Sequence, residues 1–576
     1  MRILDNSNIV ESYPGLCLPL TCSFAEEVYR LIFRRLTLRL IGDRLPAPIG
    51  AAVDQMAIAH EGRMYYRLDN WYRLLQILPF SRRLIPIWQR SLGVSPDEVP
   101  GLDKGIGPLR RLRVIGRFVA TWRRTPVMMR RLADEFRLAQ SRLQRGLPSA
   151  RFDGCRPSTP PLGSLGDLRA LYDQLRDDVL RNWDVTLIND LRAFGYIAAA
   201  QRLGCPIAGA NIASLEPVRA LDEARQLARR TDGLASLHTD ADLWGYLSTD
   251  TPLARAMIDY IEQYGDRGPG ELKLETATIR TQPIGLVALL LSDALDGSMG
   301  ADDSGVVAAR AADAPTGHGQ ARPGLLARAV RLRALEAIAL REESRLNRSR
   351  IFGLVRSLVH AAADQLVEDK VIEDRGDVFF LTIDEVFAPP ADCRRLIAAR
   401  RDAWRGYADR TPPDRLLLDD GAPASAGEAS ISGIKRQFPL SGVACSAGRV
   451  SGSVLVVTDP ATAGDVRGRI LVARSTDPGW VFLMSQAAGV IAERGSLLSH
   501  TAIVARELGL PALVGVEGAT QILMTGDQVL LDADAGRVDL LVGGAPSARD
   551  GGHEAASSPA ITAVVSAARG GDPLVA

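Results

Sequence analysis

The residues with the clearest capacity for chemistry lie near the C-terminus, in the segment IAERGSLLSHTAIVARELGLPALVG, residues 491–515. Ser499 is a good helix N-cap, and His500 opens a helical run that Gly509 and Pro511 end. The N-terminus of a helix holds anions, because its N–H groups are unpaired and its dipole is positive there. A neutral histidine ring nitrogen is nucleophilic near physiological pH, whereas a hydroxyl needs an auxiliary base. The spacing therefore indicates a site able to carry a phosphoryl group on His500.

A lone histidine at a helix start is more often a cap or a surface group, so the neighbouring residues must decide its role. The segment strongly resembles the phosphohistidine, or swivelling, domain of the phosphoenolpyruvate-utilising enzymes, whose signature reads approximately G-G-x-x-S-H-x-A-I-V-A-R-E-x-G-x-P. The matching residues are Gly495, Ser499, His500, Ala502, Ile503, Val504, Ala505, Arg506, Glu507, Gly509 and Pro511. The upstream STDPGW, residues 475–480, also resembles a segment of that family. The resemblance implies that His500 is the residue that becomes phosphorylated.

The resemblance also assigns supporting roles around this histidine. It implies that Ser499 caps the helix or hydrogen-bonds the phosphoryl group, and that Arg506 and Glu507 orient the site. A purely structural ion pair between Arg506 and Glu507 is an equal alternative. Gly495 supplies a flexible turn, and Ser496 stands where the family usually has a second glycine. We expect the turn to survive this departure, because serine is also a turn residue.

A second group of candidate residues consists of arginines and one carboxylate. Arg341, Arg345 and Arg348 are spaced i, i+4 and i+7, which predicts one basic stripe on a long helix. Guanidinium groups can bind a phosphoryl group bidentately and neutralise its charge. Arg267 and Glu271, in a glycine-bounded loop, would add a cation for phosphate and a carboxylate able to accept a proton from an attacking hydroxyl. The alternative is a buried salt-bridge network that organises the helices.

The elements that must position these residues differ along the chain. The first part shows apolar residues three and four apart with arginines between them, and the last part shows short β-rich runs bounded by glycines. We therefore predict a multidomain protein, with a large, mostly α-helical acceptor domain followed by a compact α/β phosphohistidine domain. The predicted boundaries are residues 1–407 for the helical domain, 408–435 for a linker, 436–543 for the phosphohistidine domain and 544–576 for a disordered tail.

The helical part carries a resemblance of its own, to the central acceptor domain of rifampicin-phosphotransferase-like and prodigiosin-condensing-enzyme-like members of the superfamily. The segments that carry it are NIVESYPGLCLPLTCSF (Asn8 to Phe24), HEGRMYYRL (His60 to Leu68), YGDRGPGELKLE (Tyr264 to Glu275), REESRLNRSRIF (Arg341 to Phe352) and DVFFLTIDE (Asp377 to Glu385). Asp266 stands where relatives often carry a histidine. If that histidine is the general base of the relatives, the identity of the base is open here.

Composition excludes several other classes of function. Lys and Arg total 69 against 68 Asp and Glu, so no global field attracts nucleic acid or an anionic membrane. Six cysteines without a CxxC pair predict neither a metal site nor a disulfide framework, and they fit reduced cytosol. The sequence shows no secretory signal and no apolar run long enough to span a bilayer. We therefore expect a cytoplasmic protein without nucleic-acid or membrane partners.

The sequence shows neither an ATP-grasp domain nor a P-loop, and no barrel for phosphoenolpyruvate follows the phosphohistidine segment. We expect the chain itself to bind no cofactor, and ATP and Mg²⁺ to belong to a separately encoded ATP-grasp subunit. The leading hypothesis is a kinase-type phosphotransferase component that carries a phosphoryl group on His500 to the hydroxyl or carboxylate of a small-molecule acceptor. One alternative is a component of an ATP-dependent ligase or condensing enzyme, and another is a non-catalytic regulatory remnant. The acceptor and the oligomeric state stay open.

Overall fold

A computed structural model gives the fold of the protein. It describes residues 2–6, 8–42, 44–76, 85, 108–146, 164–205, 216–268, 270–291, 324–408, 410, 415–418, 437–458, 463, 465–476, 480–495 and 499–541. Most of the predicted linker and the whole predicted tail lie outside these ranges. Within them, no helix has the length and apolar composition that a membrane span requires.

Helices dominate the described residues upstream of the predicted linker. The α-helices are α1 (Pro19–Ile41), α2 (Ala47–Val53), α3 (Leu68–Leu75), α4 (Pro108–Gly146), α5 (Leu165–Asp178), α6 (Val185–Arg202), α7 (Glu216–Ala228), α8 (Asp240–Leu247), α9 (Pro252–Tyr264), α10 (Ile284–Leu291), α11 (Leu325–Glu368), α12 (Ile383–Phe387) and α13 (Cys393–Ala408). Short 3-10 helices span Ile9–Glu11, Leu180–Asn182, Leu234–Ser236 and Arg375–Phe380. We call this part the helical region.

The organising element of the helical region is α11, which runs for 44 residues. Ala, Leu, Arg and Glu, all strong helix formers, supply much of its sequence. Its second half is buried at Phe352, Val355 and Val359, residues three and four apart that face the largest apolar core. Arg356, on the same helix, is 1% exposed and donates hydrogen bonds to backbone carbonyls of the 271–274 loop. The helix and the loop that carry the predicted arginines are therefore joined.

A small sheet in the helical region was not predicted. Its strands are β1 (Arg2–Asp5), β2 (Ala57–His60), β3 (Arg63–Arg67) and β4 (Arg415–Leu418), in the order β2-β3-β1-β4. β1 pairs antiparallel with β4, which lies inside the segment expected to be a linker. The strands contain four or five residues each, too few for a period of two to stand out. Because β1 and β4 are far apart in sequence, no local sequence pattern predicts that they pair.

A sheet-rich region follows, as the sequence predicted. Its strands are β5 (Leu440–Ser441), β6 (Val443–Ser446), β7 (Arg449–Val457), β8 (Ile470–Ala473), β9 (Gly489–Ala492), β10 (Ala512–Val514), β11 (Gln528–Asp532) and β12 (Arg537–Leu540), with helices α14 (Val481–Met484), α15 (His500–Glu507) and α16 (Ala519–Ile522). The eight strands have the order β5-β12-β11-β7-β8-β9-β10-β6. Strands β7 to β10 run parallel, and antiparallel pairs flank them.

The sheet-rich region packs directly against the helical region. One apolar cluster contains α15 residues such as Ile503, sheet residues such as Val490, and a set of residues from α6, α7 and α11. That set, which we call the docking patch, consists of Ala193, Ile197, Val218, Ala337 and Ile338. Ala502 and Ile503, in the first turn of α15, belong to the same cluster as Ala337 and Ile338 of α11. Packing thus brings the two predicted groups of candidate residues together.

Candidate functional site

The first turn of α15 is built by a glycine and a serine. Gly495 has a φ of +133°, and a Cβ there would lie 3.0 Å from the Oγ of Ser499. Only glycine fits this position without strain. Ser499 caps the helix, because its Oγ accepts a hydrogen bond of 3.3 Å from the N–H of Ala502. Gly509, with a φ of +62°, follows the end of the helix.

Two further contacts fix α15 within the sheet-rich region. The Nε of Arg506 donates a hydrogen bond of 2.6 Å to the carbonyl of Cys445 in β6. The hydroxyls of Thr501 and Thr476 lie 2.7 Å apart and share a hydrogen bond. Arg506 thus holds the last turn of the helix to the sheet, a positioning contact. The side chain of Glu507, like Ser496 and residues 477–479, lies outside the described residues.

His500 is buried at the contact between the two regions. Its side chain is 4% exposed, and its Nε2 atom has no hydrogen-bond partner among the described residues. Burial lowers the pKa of the imidazole to about 3; the carboxylate of Glu342 opposes this shift, whereas Arg345, Arg267 and Arg341 reinforce it. The imidazole is therefore neutral at physiological pH. A neutral ring with an unpartnered nitrogen is the form in which histidine acts as a nucleophile.

The charges that face His500 form an arginine–glutamate cluster on α11. Glu342 is fully buried, and its Oε1 accepts a hydrogen bond of 3.0 Å from Nη1 of Arg341. Nη1 of Arg345 lies 3.8 Å from the same oxygen, and Nε of Arg341 donates to Asp190 at 3.0 Å. Burial and the neighbouring Arg341 lower the pKa of Arg345 to about 10, so it stays charged near neutral pH. Its charge is therefore available to an anion on His500.

The loop residues Arg267 and Glu271 lie in a compact network with α11. Nη1 of Arg267 donates to Glu271 at 2.9 Å and to the hydroxyl of Ser349 at 3.1 Å. That hydroxyl donates to Glu271 at 2.6 Å, and the glutamate is 4% exposed. These contacts fit the salt-bridge network that the sequence left open. A proton-accepting role for Glu271 stays a prediction, while Arg267 acts electrostatically on His500.

Asp266, at which the sequence departs from the pattern that it resembles, is held by arginines. Its Oδ2 accepts a hydrogen bond of 2.8 Å from Nε of Arg280, and Nη1 of Arg356 lies 3.8 Å from its Oδ1. The carboxylate packs so tightly against α11 that a Cβ at Gly353 would approach it to 2.2 Å. Asp266 is therefore a packing residue that joins the loop to the helix.

One residue that the sequence interpretation passed over lies beside the same cluster. Glu11 ends the 3-10 helix Ile9–Glu11, within the NIVESYPG segment already noted for its resemblance. Burial raises its pKa to about 7, against the opposing charges of Arg345, Arg341 and Arg348. Two of these arginines also act on His500. The only sequence signal for Glu11 was its place in that segment, since nothing local connects it to residues so distant in the chain.

Comparison with known proteins agrees with this geometry. A family model described as the mobile domain of phosphoenolpyruvate-utilising enzymes matches residues 465–536, which include α15. The chain is 35% identical over 308 residues to a rifampicin phosphotransferase of a Streptomyces species, which is 49% of this chain and 34% of that protein. It is 48% identical over 101 residues to the prodigiosin synthesizing transferase of Serratia marcescens, 17% of this chain and 11% of that protein. The chain is thus similar to members of the phosphoenolpyruvate-utilising enzyme superfamily, and the match to their mobile domain covers residues 465–536.

An uncharacterised protein of Mycobacterium bovis is 30% identical over 339 residues, 58% of this chain and 37% of that protein. The chain thus spans about a third of the length of this relative and of the Streptomyces one. Among the residues that the structure describes, no group of three or more His, Cys, Asp or Glu could hold a metal ion.

Proposed function

We propose that this protein is the transferring component of a phosphotransferase. His500 accepts a phosphoryl group, carries it to the arginine–glutamate cluster of α11, and delivers it to a small-molecule acceptor. The observation that supports this most directly is the buried imidazole, whose Nε2 is unpartnered and which faces Arg341 and Arg345 across the contact. The similarity to rifampicin phosphotransferase supports the same class of reaction.

The charges of the site suit a phosphoryl group on Nε2. Phosphorylation adds negative charge, and a guanidinium fork matches phosphate geometry bidentately. Arg341 and Arg267 each donate a hydrogen bond to a carboxylate, at Asp190 and Glu271, whereas Arg345 lies 3.8 Å from Glu342 and is the cation most available to a phosphoryl group. In a buried site these attractions are stronger than in water, because the effective dielectric constant is lower. The site is therefore complementary to the loaded carrier.

Loading requires a different arrangement of the two regions. The Nε2 atom that receives the phosphoryl group is buried in the present arrangement, so a nucleotide cannot reach it. We propose that the sheet-rich region leaves the docking patch and is phosphorylated on an ATP-grasp partner subunit, which supplies ATP and Mg²⁺. It then returns and excludes water while the group is transferred.

The test is phosphoryl labelling of the full chain. Incubation with labelled ATP and a candidate ATP-grasp subunit should place an alkali-stable, acid-labile label on this chain. His500→Ala should abolish the label, and His238→Ala, which removes an exposed histidine of the helical region, should leave it unchanged. Label that persists in His500→Ala would overturn the proposal. A chain that no ATP-grasp subunit labels would instead favour a regulatory remnant.

A condensing reaction is the second candidate function. The observation that favours it is the 48% identity to the prodigiosin synthesizing transferase. In that case the acceptor would be activated by phosphorylation and then joined to a second molecule. Mass spectrometry of the products distinguishes the two candidates, because a ligase gives a joined product and free phosphate, whereas a kinase gives a phosphorylated acceptor.

A further inference from the structure

The site contains cations for the phosphoryl group, but two of its carboxylates are already engaged. A hydroxyl that attacks phosphorus must lose a proton, and a nearby base speeds that loss. Asp266 is held by Arg280, and Glu271 accepts hydrogen bonds from Arg267 and Ser349. A base that can take and release a proton during each turnover needs a carboxylate without such partners.

Glu11 meets this requirement. Among the described residues, its carboxylate makes no hydrogen bond and no ion pair shorter than 4.0 Å, in contrast to Glu342, which accepts a hydrogen bond from Arg341. The chain on either side of it is fixed. Ile9 is 1% exposed, and the ring of Tyr13 packs against that of Phe352 in α11 with 6.5 Å between centroids. Glu11 is therefore a carboxylate without a hydrogen-bond partner among the described residues, on a segment that packs against α11.

The same arginines act electrostatically on Glu11 and on His500. Arg341 and Arg345 act electrostatically on both residues, and Arg348 continues the stripe on the side of Glu11. The guanidinium groups of Arg341 and Arg345 therefore act on both the carboxylate and the imidazole. An acceptor bound at the guanidinium groups would have the phosphorylated nitrogen and the carboxylate within its reach.

We infer that Glu11 is the general base of the transfer, and that it removes the proton from the acceptor hydroxyl. This inference rests on the proposed function. It selects an alcohol or a phenol rather than a carboxylate as the acceptor, since a carboxylic acid is already ionised at neutral pH and needs no base. An anionic acceptor would also be repelled by the carboxylate of Glu11.

The step is balanced as follows. The acceptor oxygen forms a bond to phosphorus while the bond between phosphorus and Nε2 of His500 breaks, and the electron pair of that bond returns to the imidazole. The acceptor proton moves to the carboxylate of Glu11 and is later released to water. Free His500 and a phosphate monoester result. Because burial raises the pKa of Glu11 to about 7, the carboxylate holds and releases protons readily near neutral pH.

The test uses the full chain loaded with phosphoramidate, a small donor that phosphorylates histidine. Ethylene glycol and water serve as hydroxyl acceptors, acetate serves as a carboxylate acceptor, and phosphorus NMR follows phosphohistidine and glycol monophosphate. In the wild type, transfer to glycol should rise with pH through about 7. Glu11→Gln should slow it roughly 100-fold and remove that rise, because general-base catalysis contributes about that much. Loading of His500 should not change.

The matched control is Glu343→Gln. Glu343 lies on the opposite face of α11, where it lines a separate cavity of about 580 Å³. This variant should transfer like the wild type. Glu11→Asp keeps a carboxylate and should retain the rise with pH at an intermediate rate. Equal rates and equal pH profiles in Glu11→Gln and the wild type would overturn the inference, as would transfer to acetate in preference to glycol. Absence of any phosphohistidine would instead refute the proposed function and the inference with it.

Discussion

The sheet-rich region and the helical region build their halves of the site in different ways. The sheet-rich region supplies one reactive group, His500, whose helix cap and helix end lie within a short stretch of chain between Gly495 and Gly509. The helical region supplies charges from three segments that are far apart in sequence. These segments contain Glu11, Arg267 and Arg345. The first half depends on local backbone geometry, whereas the second depends on packing of the whole region. Substitutions in the two halves should therefore have different effects on stability, on phosphorylation of His500 and on transfer to the acceptor.

The largest effect should follow a change in packing far from the chemistry. Gly353→Ala would place a Cβ about 2.2 Å from the carboxylate of Asp266, which two arginines hold in place. We expect a loss of about 3 kcal/mol in the free energy of unfolding, because overpacked cores respond on that scale. Urea denaturation measures it.

The control for this change is Gly116→Ala, in the exposed part of α4, where an added Cβ meets nothing within 4 Å. It should stabilise the protein by up to about 1 kcal/mol, since alanine favours a helix over glycine. Equal changes in unfolding free energy for the two substitutions would show that the helical region tolerates an added Cβ at Gly353.

Removal of Arg345, which acts on both Glu11 and His500, should slow transfer to the acceptor without slowing phosphorylation of His500. In Arg345→Ala, phosphorylation of His500 by phosphoramidate should be unchanged, whereas transfer to ethylene glycol should fall about 100-fold, or about 2.7 kcal/mol in activation free energy. Arg333→Ala removes an exposed arginine of the same helix and should leave both rates unaltered. A fall in loading equal to the fall in transfer would contradict the division between the two halves.

The contact between the halves should depend on pH through His500. Its pKa is about 3 in the buried state against an ordinary 6.5, so the unfolded chain binds the proton first. The stabilisation is therefore fully present above about pH 6.5 and is lost as the pH falls, at up to about 1.4 kcal/mol per pH unit. Between about pH 7.5 and about pH 5, the wild type should lose about 2 kcal/mol more unfolding free energy than His500→Gln. Equal losses would contradict burial of a neutral imidazole.

The smallest effect should come from the helix cap. Ser499→Ala removes the acceptor for the N–H of Ala502 and should cost about 1 kcal/mol of stability. It should also slow transfer to glycol, because the imidazole lies on the next residue. Thr239→Ala removes the corresponding cap of α8, at 3.2 Å from the N–H of Asp242. That variant should lose similar stability and keep the wild-type transfer rate.

This contrast also explains how much could be predicted from the sequence. The cap at Ser499, the helix from His500 and its end near Gly509 were predicted because each depends on residues only a few positions apart. The same holds for the arginine stripe from Arg341 to Arg348, which needs only a continuous helix.

What could not be predicted depends on long-range packing. Glu11 approaches the arginines only because its segment packs on α11, and Asp266 is immobilised by Arg280 and Arg356, which no sequence pattern links to it. The strand at residues 415–418 was taken for linker because its partner is at the other end of the helical region. In each case the residues are brought together by tertiary packing, which no local sequence motif indicates.

The pairing of β1 with β4 has a consequence for protein engineering. Among the described residues, it places the first strand and the last strand before the sheet-rich region side by side. A protein fused ahead of β1 would therefore be joined close to β4, the described strand that precedes the sheet-rich region. An ATP-grasp subunit attached there by a short linker would be held at an effective concentration of about millimolar relative to the carrier. The small sheet is thus a suitable junction for attaching the proposed ATP-grasp partner to this chain.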